Sequence, residues 1–281
     1  MRFDRLCVAV VLAGLSGPAV ADEAGEQYVK GLALMQAGRL DEAQHALEEA
    51  LRLRPGDGPT QLTLGNVFRK MKKCDRAIPL YEAVIKGQPN NSMAQGNLGY
   101  CYNVADRRAD AIRSLEKAVE LNPGDPQWRT SLGALYRQDK QFDKALTHFD
   151  KAVELEPKNP DSLHSLALVL RQLRNFDRAA DVTRQAIVVS PNDANLRVDL
   201  AAISRAQKKP AEAIAAYREA VRLDPKNADA WFDLGQVHAE EHQTKETIAA
   251  WNTYIDLVGD KNPSTVESVR RQIKGFGGTP H

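Results

Sequence analysis

Six prolines, Pro55, Pro89, Pro123, Pro157, Pro191 and Pro225, stand 34 residues apart with no insertion or deletion between them. Proline cannot continue a helix, so it commonly follows a helix end. A helix-ending residue at one fixed spacing means one supersecondary unit copied along the chain. Each copy then packs on its neighbours, and the 281 residues need not divide into average-sized domains. Such a chain is expected to work by presenting an extended surface.

The unit reads most clearly in a frame that puts the proline at position 32, with copies starting at Ala24, Gly58, Ser92, Pro126, Pro160, Ala194 and Ala228. Position 8 is then small throughout: Gly31, Gly65, Gly99, Gly133, Ala167, Ala201 and Gly235. Position 20 is alanine in six copies and Thr247 in the seventh. Position 27 is small or Val84 in six copies and Tyr254 in the last. Position 7 is leucine from Leu64 onward, and position 24 is mostly bulky: Leu47, Tyr81, Leu115, Phe149, Thr183, Tyr217 and Trp251. Positions 7, 10 and 11 share one helical face, and positions 20, 21, 24, 27 and 28 share another. A polar turn such as Asp139-Lys140-Gln141 separates them. Each copy is therefore a pair of antiparallel helices whose small residues let the helices approach closely.

After the last copy, Ser264-Thr265-Val266-Glu267 reads as a capping box, and Val266, Val269 and Ile273 form one apolar stripe. This predicts a capping helix over 263–275 and a disordered tail over 276–281. Pro79, at position 22, predicts either a late start or a bend in the second helix of copy two.

Small residues at 8, alanine at 20 and proline at 32 are the pattern of the tetratricopeptide repeat, and the chain resembles that family over about residues 24–259. The resemblance implies an all-α, right-handed superhelical solenoid of seven repeats, with a concave groove lined by the first helices. Such arrays bind peptides or proteins and hold complexes together. Position 4, often Trp in the family, is Trp only at Trp231, and Gly259 replaces the last proline.

In the family's geometry positions 2, 5, 9, 12 and 13 face the groove. Position 12 reads Met35, Arg69, Asn103, Arg137, Arg171, Arg205 and Ala239. Four arginines on one row are candidates for pairing with ligand carboxylates, because a guanidinium forks onto a carboxylate. Lys70 adds charge, and Asn66 and Asn103 are candidates for hydrogen bonds to a ligand backbone. At the far end Asp229, Phe232, Asp233, Gln236 and Glu240 are acidic, aromatic or polar. Asn66 and Asn97 resemble part of a carboxylate clamp, but Leu62, Gln127 and Ser131 stand where its basic residues belong.

Cys74 and Cys101 fall at positions that repeat packing brings near each other, so they are a candidate disulfide as well as ordinary core residues. His238-Ala239-Glu240-Glu241-His242 matches H-x-x-E-H, but His242 falls in the turn between helices, so no metal is expected. No phosphate loop, nucleophile elbow or dinucleotide fingerprint occurs, so neither cofactor nor enzymatic activity is expected. A formal net charge of +1 and 6% aromatic residues argue against nucleic acid.

The first 21 residues read as a cleavable bacterial signal peptide: Arg2 and Arg5, the apolar run Leu6–Leu15, then Ala19-Val20-Ala21. The run is too short for a membrane span, which takes about 20 apolar residues. The chain is thus expected to be periplasmic or secreted, with no stable membrane anchor. The function expected is an exported interaction scaffold that binds a protein segment, one with acidic residues, in its groove. A glycan-binding envelope factor and a self-associating scaffold are the alternatives.

Overall fold

The structure, a computed structural model, describes residues 23–281, so the signal segment lies outside the described residues. Two compact units divide at Pro123. The first holds α1 (Glu23–Gln36), α2 (Leu40–Leu53), α3 (Gly58–Lys70), α4 (Cys74–Gly87), α5 (Ser92–Val104) and α6 (Arg108–Leu121). The second holds α7 (Pro126–Gln138), α8 (Phe142–Leu155), α9 (Pro160–Gln172), α10 (Phe176–Val189), α11 (Ala194–Ala206), α12 (Pro210–Leu223), α13 (Ala228–Glu240), α14 (Thr244–Val258), a 3-10 turn and α15 (Pro263–Gly275). No β-strand occurs among the described residues.

Local chemistry sets the helix ends. The first helix of each repeat from the second onward follows an Asp or Asn in extended conformation: Asp57, Asn91, Asp125, Asn159, Asp193 and Asn227. Each side chain accepts a hydrogen bond from a backbone N–H in the first turn, which relieves one of the orphaned donors there. The first helix stops at position 13, two residues before position 15, which takes positive φ in all seven repeats. Gly38 does so without strain, whereas Lys72, Asp106, Lys140, Arg174, Lys208 and His242 carry a Cβ. The next N–H then returns to close the turn, as Lys73 N–H does to the Phe68 carbonyl at 2.8 Å. Second helices stop two residues before proline, because the pyrrolidine ring disfavours α conformation at the residue just ahead of it. Where Gly259 stands instead, α14 runs to Val258, one position beyond the end of the other second helices.

Within each unit the two helices of a repeat meet through position 8 against position 24. A Cβ added at Gly31 would lie 2.5 Å from the Leu47 side chain, at Gly133 2.9 Å from Phe149, and at Gly235 2.3 Å from Trp251. Glycine is required there because the facing side chain occupies its space. The position 20 alanines, from Ala43 to Ala213, are fully buried, and so is Thr247, whose hydroxyl donates to the Gln243 carbonyl at 2.9 Å. Second helices of adjacent repeats are also matched in charge. Arg76 pairs with Glu48 at 2.9 Å, Arg178 with Asp150, and Arg184 with Glu212 at 3.4 Å. Exposed pairs of this kind contribute well under about 1 kcal/mol each, so they favour register more than stability.

Two local expectations are revised, and for Pro79 one of its two alternatives, the late start, falls away. The Ser264–Glu267 capping box does not form. Pro263 opens α15 one residue earlier, which puts Ser264 inside the first turn, where its hydroxyl donates to Asn262 Oδ1 at 3.3 Å. The tail is not disordered. Asn252 Nδ2 donates to the Thr279 carbonyl at 3.1 Å, its Oδ1 accepts from the His281 N–H at 3.0 Å, and Gly278 lies against Ile248 and Ile273. Pro79 does not delay its helix, because α4 begins at Cys74 and runs through it, with Pro79 on the exposed side. The apolar stripe of α15 packs where expected, Val266, Val269 and Ile273 closing over Trp251, Tyr254 and Ile255.

Candidate functional site

In the first unit the candidate residues gather where α3 meets α4 and α5. Asn66 Oδ1 accepts from the Tyr81 hydroxyl at 2.9 Å and from Asn97 Nδ2 at 2.7 Å. Two donors on one oxygen fix the amide and leave Asn66 Nδ2 as the group that can donate outward. The Arg69 guanidinium lies over the Tyr100 ring, 5.4 Å from its centroid, and Arg69 Nε is buried without a hydrogen-bond partner. Tyr100 belongs to an apolar stripe on α5 at positions 2, 9 and 13 of its repeat: Met93 is 50% exposed, Tyr100 41% and Val104 55%. Lys70 and Asn103 are exposed beside it.

Below this surface lie the two cysteines. Both are buried free thiols, and Cys74 hydrogen-bonds to Cys101. Burial pushes the Cys101 thiol far above its ordinary value, the Cys74 neighbour adds to this, and the Arg69 charge opposes it.

In the second unit the arginine row divides. Arg171 Nη1 donates to Asp199 Oδ1 at 3.0 Å. Arg205 donates to Glu240 through Nε at 3.2 Å and through Nη2, and this carboxylate raises its pKa further. Arg171 and Arg205 are therefore neutralised within the chain. Arg137 differs, since its Nε is buried without a hydrogen-bond partner. The rule behind the difference is positional. The carboxylate comes from the next repeat, 28 residues on for Arg171 and 35 on for Arg205. At those offsets Arg69 has Asn97 and Val104, and Arg137 has Ser165 and Gln172, none of them acidic. A comparison of positions 6 and 13 between neighbouring repeats carries this signal; reading position 12 alone does not.

Asp199 also accepts from or is bridged to His164, with Nε2 to Oδ2 at 2.9 Å, so one carboxylate serves two side chains of α9. The Asp199 hydrogen bond holds the His164 pKa above the usual imidazole range; burial and the Arg137 charge work against it. At the far end Asp233 accepts from the Tyr217 hydroxyl at 3.3 Å, and burial raises its pKa. Phe232 tilts against Tyr254 at 5.2 Å between centroids. Asp233 and Glu240 thus have partners inside the chain. His238 lies buried in α13 with Nδ1 at 2.5 Å from Gln243 Oε1, while His242 sits in the turn at φ 58°. The two imidazoles do not share a helix, and no metal-holding cluster occurs among the described residues. No helix among them is long and apolar enough to cross a membrane.

Four family profiles match this chain in succession. They are described as the Psidin N-terminal TPR repeats region over residues 24–105, the tetratricopeptide repeat over 104–160, anaphase-promoting complex (cyclosome) subunit 3 over 138–220, and the TPR repeat over 203–241. The chain is a tetratricopeptide-repeat protein. Among solved structures, this repeat protein is similar to the C-terminal part of a TPR repeat-containing protein from Cytophaga hutchinsonii. The identity is 14% and the TM-score 0.72, over 86% of this chain and 98% of the other. It is also similar to YrrB, described as a TPR protein with an unusual peptide-binding site, at 19% identity and TM-score 0.60, over 69% of this chain and 97% of that one. MamA matches at 23% identity and TM-score 0.56, over 61% and 94%. These likenesses establish the all-α repeat fold. Comparison with curated proteins finds no match.

Proposed function

We propose that this tetratricopeptide-repeat protein is a non-catalytic interaction scaffold. It takes acidic segments of other proteins on its first-helix faces, with Arg69 and Arg137 as the carboxylate anchors. The observation that carries this reading is the contrast along position 12: Arg171 and Arg205 already hold Asp199 and Glu240, whereas the corresponding positions beside Arg69 and Arg137 offer no carboxylate. A guanidinium with a buried, unpartnered Nε gains by accepting an external anion. Next to Arg69, the exposed Met93, Tyr100 and Val104 offer apolar contact area, and Asn66 Nδ2 offers a donor. Preformed helices leave most of the ordering cost on the ligand side.

The apolar run at Leu6–Leu15 and the small residues at Ala19–Ala21 support export, so the scaffold is proposed to act in the periplasm or outside the cell. Glycan binding is less favoured, because the Tyr100 face holds Arg69 and Phe232 packs on Tyr254.

The test is a crosslinked pull-down from the cell envelope, analysed by mass spectrometry, with bait recovered from that fraction and expected to begin at Asp22. The R69Q/R137Q variant should lose the partners of the parent protein, and R171Q/R205Q should keep them. The opposite pattern, or loss in neither, would remove the carboxylate anchors from the proposal.

A further inference from the structure

The second unit carries a feature that the scaffold reading does not require. Repeat symmetry relates Arg137 to Arg171, since both stand at position 12. Arg171 reaches position 6 of the following repeat, where Asp199 accepts its hydrogen bond at 3.0 Å. For Arg137 the equivalent place, on α9, is Ser165, with His164 beside it at position 5. Helices α7 and α9 are in contact, and the Arg137 charge acts on His164. Repeat symmetry therefore sets Ser165, with His164 beside it, opposite Arg137 at the place where the neighbouring repeat supplies a carboxylate.

We propose that Arg137, His164 and Ser165 form a carboxylate site whose affinity is set by the protonation of His164. The inference rests on the scaffold reading and assigns its second unit a ligand chemistry and a regulator. Every charge acting on His164 has a definite sign. From α11 come Asp199, at 2.9 Å, and Asp193, the residue that caps that helix; both favour the imidazolium. From α7 comes Arg137, which disfavours it. On α9 itself, Arg171 shares Asp199, and Asp161 lies exposed one turn earlier. With His164 neutral, Arg137 and Arg171 are balanced by Asp199 and Asp193; with His164 protonated there is one positive charge in excess. A ligand carboxylate at Arg137 replaces the repulsion between Arg137 and the imidazolium with attraction to both. Binding therefore takes up a proton at His164, and acid tightens the complex.

The test uses the full chain and a fluorescein-labelled hexaglutamate probe, read by fluorescence anisotropy at constant low salt between pH 8 and pH 5.5, where the probe's carboxylates stay largely ionised. The probe should bind about three- to tenfold tighter at the acid end, since one unit of linked pKa change corresponds to tenfold in affinity. H164Q should bind with the weaker affinity throughout, and R137Q should lose the site at both ends. NMR titration of the His164 ring supplies a second readout: saturating probe should raise its pKa, and R137Q should raise it in the free protein. If H164Q keeps the full pH dependence, or the ring's titration ignores the probe, the proton-linked site is wrong while binding through Arg69 still supports the scaffold reading. Absence of probe binding at every pH overturns both.

Discussion

Replacing Gly235 by alanine tests the packing rule that holds each repeat together. A Cβ at this position would lie 2.3 Å from Trp251 Cδ1 and 2.5 Å from Nε1, so the ring must retreat by about 1 Å to reach ordinary contact. The ring has little room to do so. Trp251 is buried, its Nε1–H donates to the Phe232 carbonyl at 3.2 Å, and Phe276 meets its edge at 6.0 Å between centroids. Overpacking of this kind costs roughly 1–3 kcal/mol, while alanine in place of glycine inside a helix returns about 1 kcal/mol. The expected net loss is up to about 2 kcal/mol, against a typical stability of about 5–15 kcal/mol. The sixth repeat already shows the remedy, since Ala201 at position 8 faces Tyr217 at position 24 and both are buried. G235A should therefore cost its full amount in the parent protein and close to nothing in a W251Y background. G87A has no atom near its new methyl and should be neutral or slightly stabilising. Urea titrations followed by far-UV circular dichroism measure the parent, G235A, W251Y, G235A/W251Y and G87A. An equal cost of G235A in both backgrounds, or no cost in either, would refute the steric argument.

The turns and the thiols give further predictions. Lys140 sits at φ 58° where the first repeat has Gly38, so K140G should raise stability by about 0.5–1 kcal/mol and G38A should lower it by a similar amount; urea midpoints that move the other way would discount backbone strain at position 15. Cys101 is buried and its thiol is held far above its ordinary pKa, so Cys74 and Cys101 should label with iodoacetamide many-fold more slowly in the folded protein than in urea. Labels on both Cys74 and Cys101 are expected in urea without reductant, whereas a label on neither would show that the pair is bridged.

The local grammar of this protein was legible in the sequence because each rule acts over a few residues. Proline at position 32 stops the second helix by its own geometry. An Asp or Asn ahead of the first helix of each repeat from the second onward caps it with its own side chain. Small residues at position 8 and bulky ones at position 24 announce the close approach of the two helices of a repeat. These features made the fold class readable from one chain. What the sequence left open depends on groups brought together from separate repeats. Four arginines at position 12 look alike in one dimension, yet Asp199 and Glu240 neutralise Arg171 and Arg205, while the same offsets give Arg69 and Arg137 no carboxylate. His164 had no visible role until Asp199 arrived beside it from α11. The return of the tail to Asn252 was decided in the same way. Helix formation and repeat packing follow from the identity of each residue and its near neighbours. Which charge stays free for a ligand follows from the electrostatic balance at a point in space, and only the tertiary structure fixes which groups share that point.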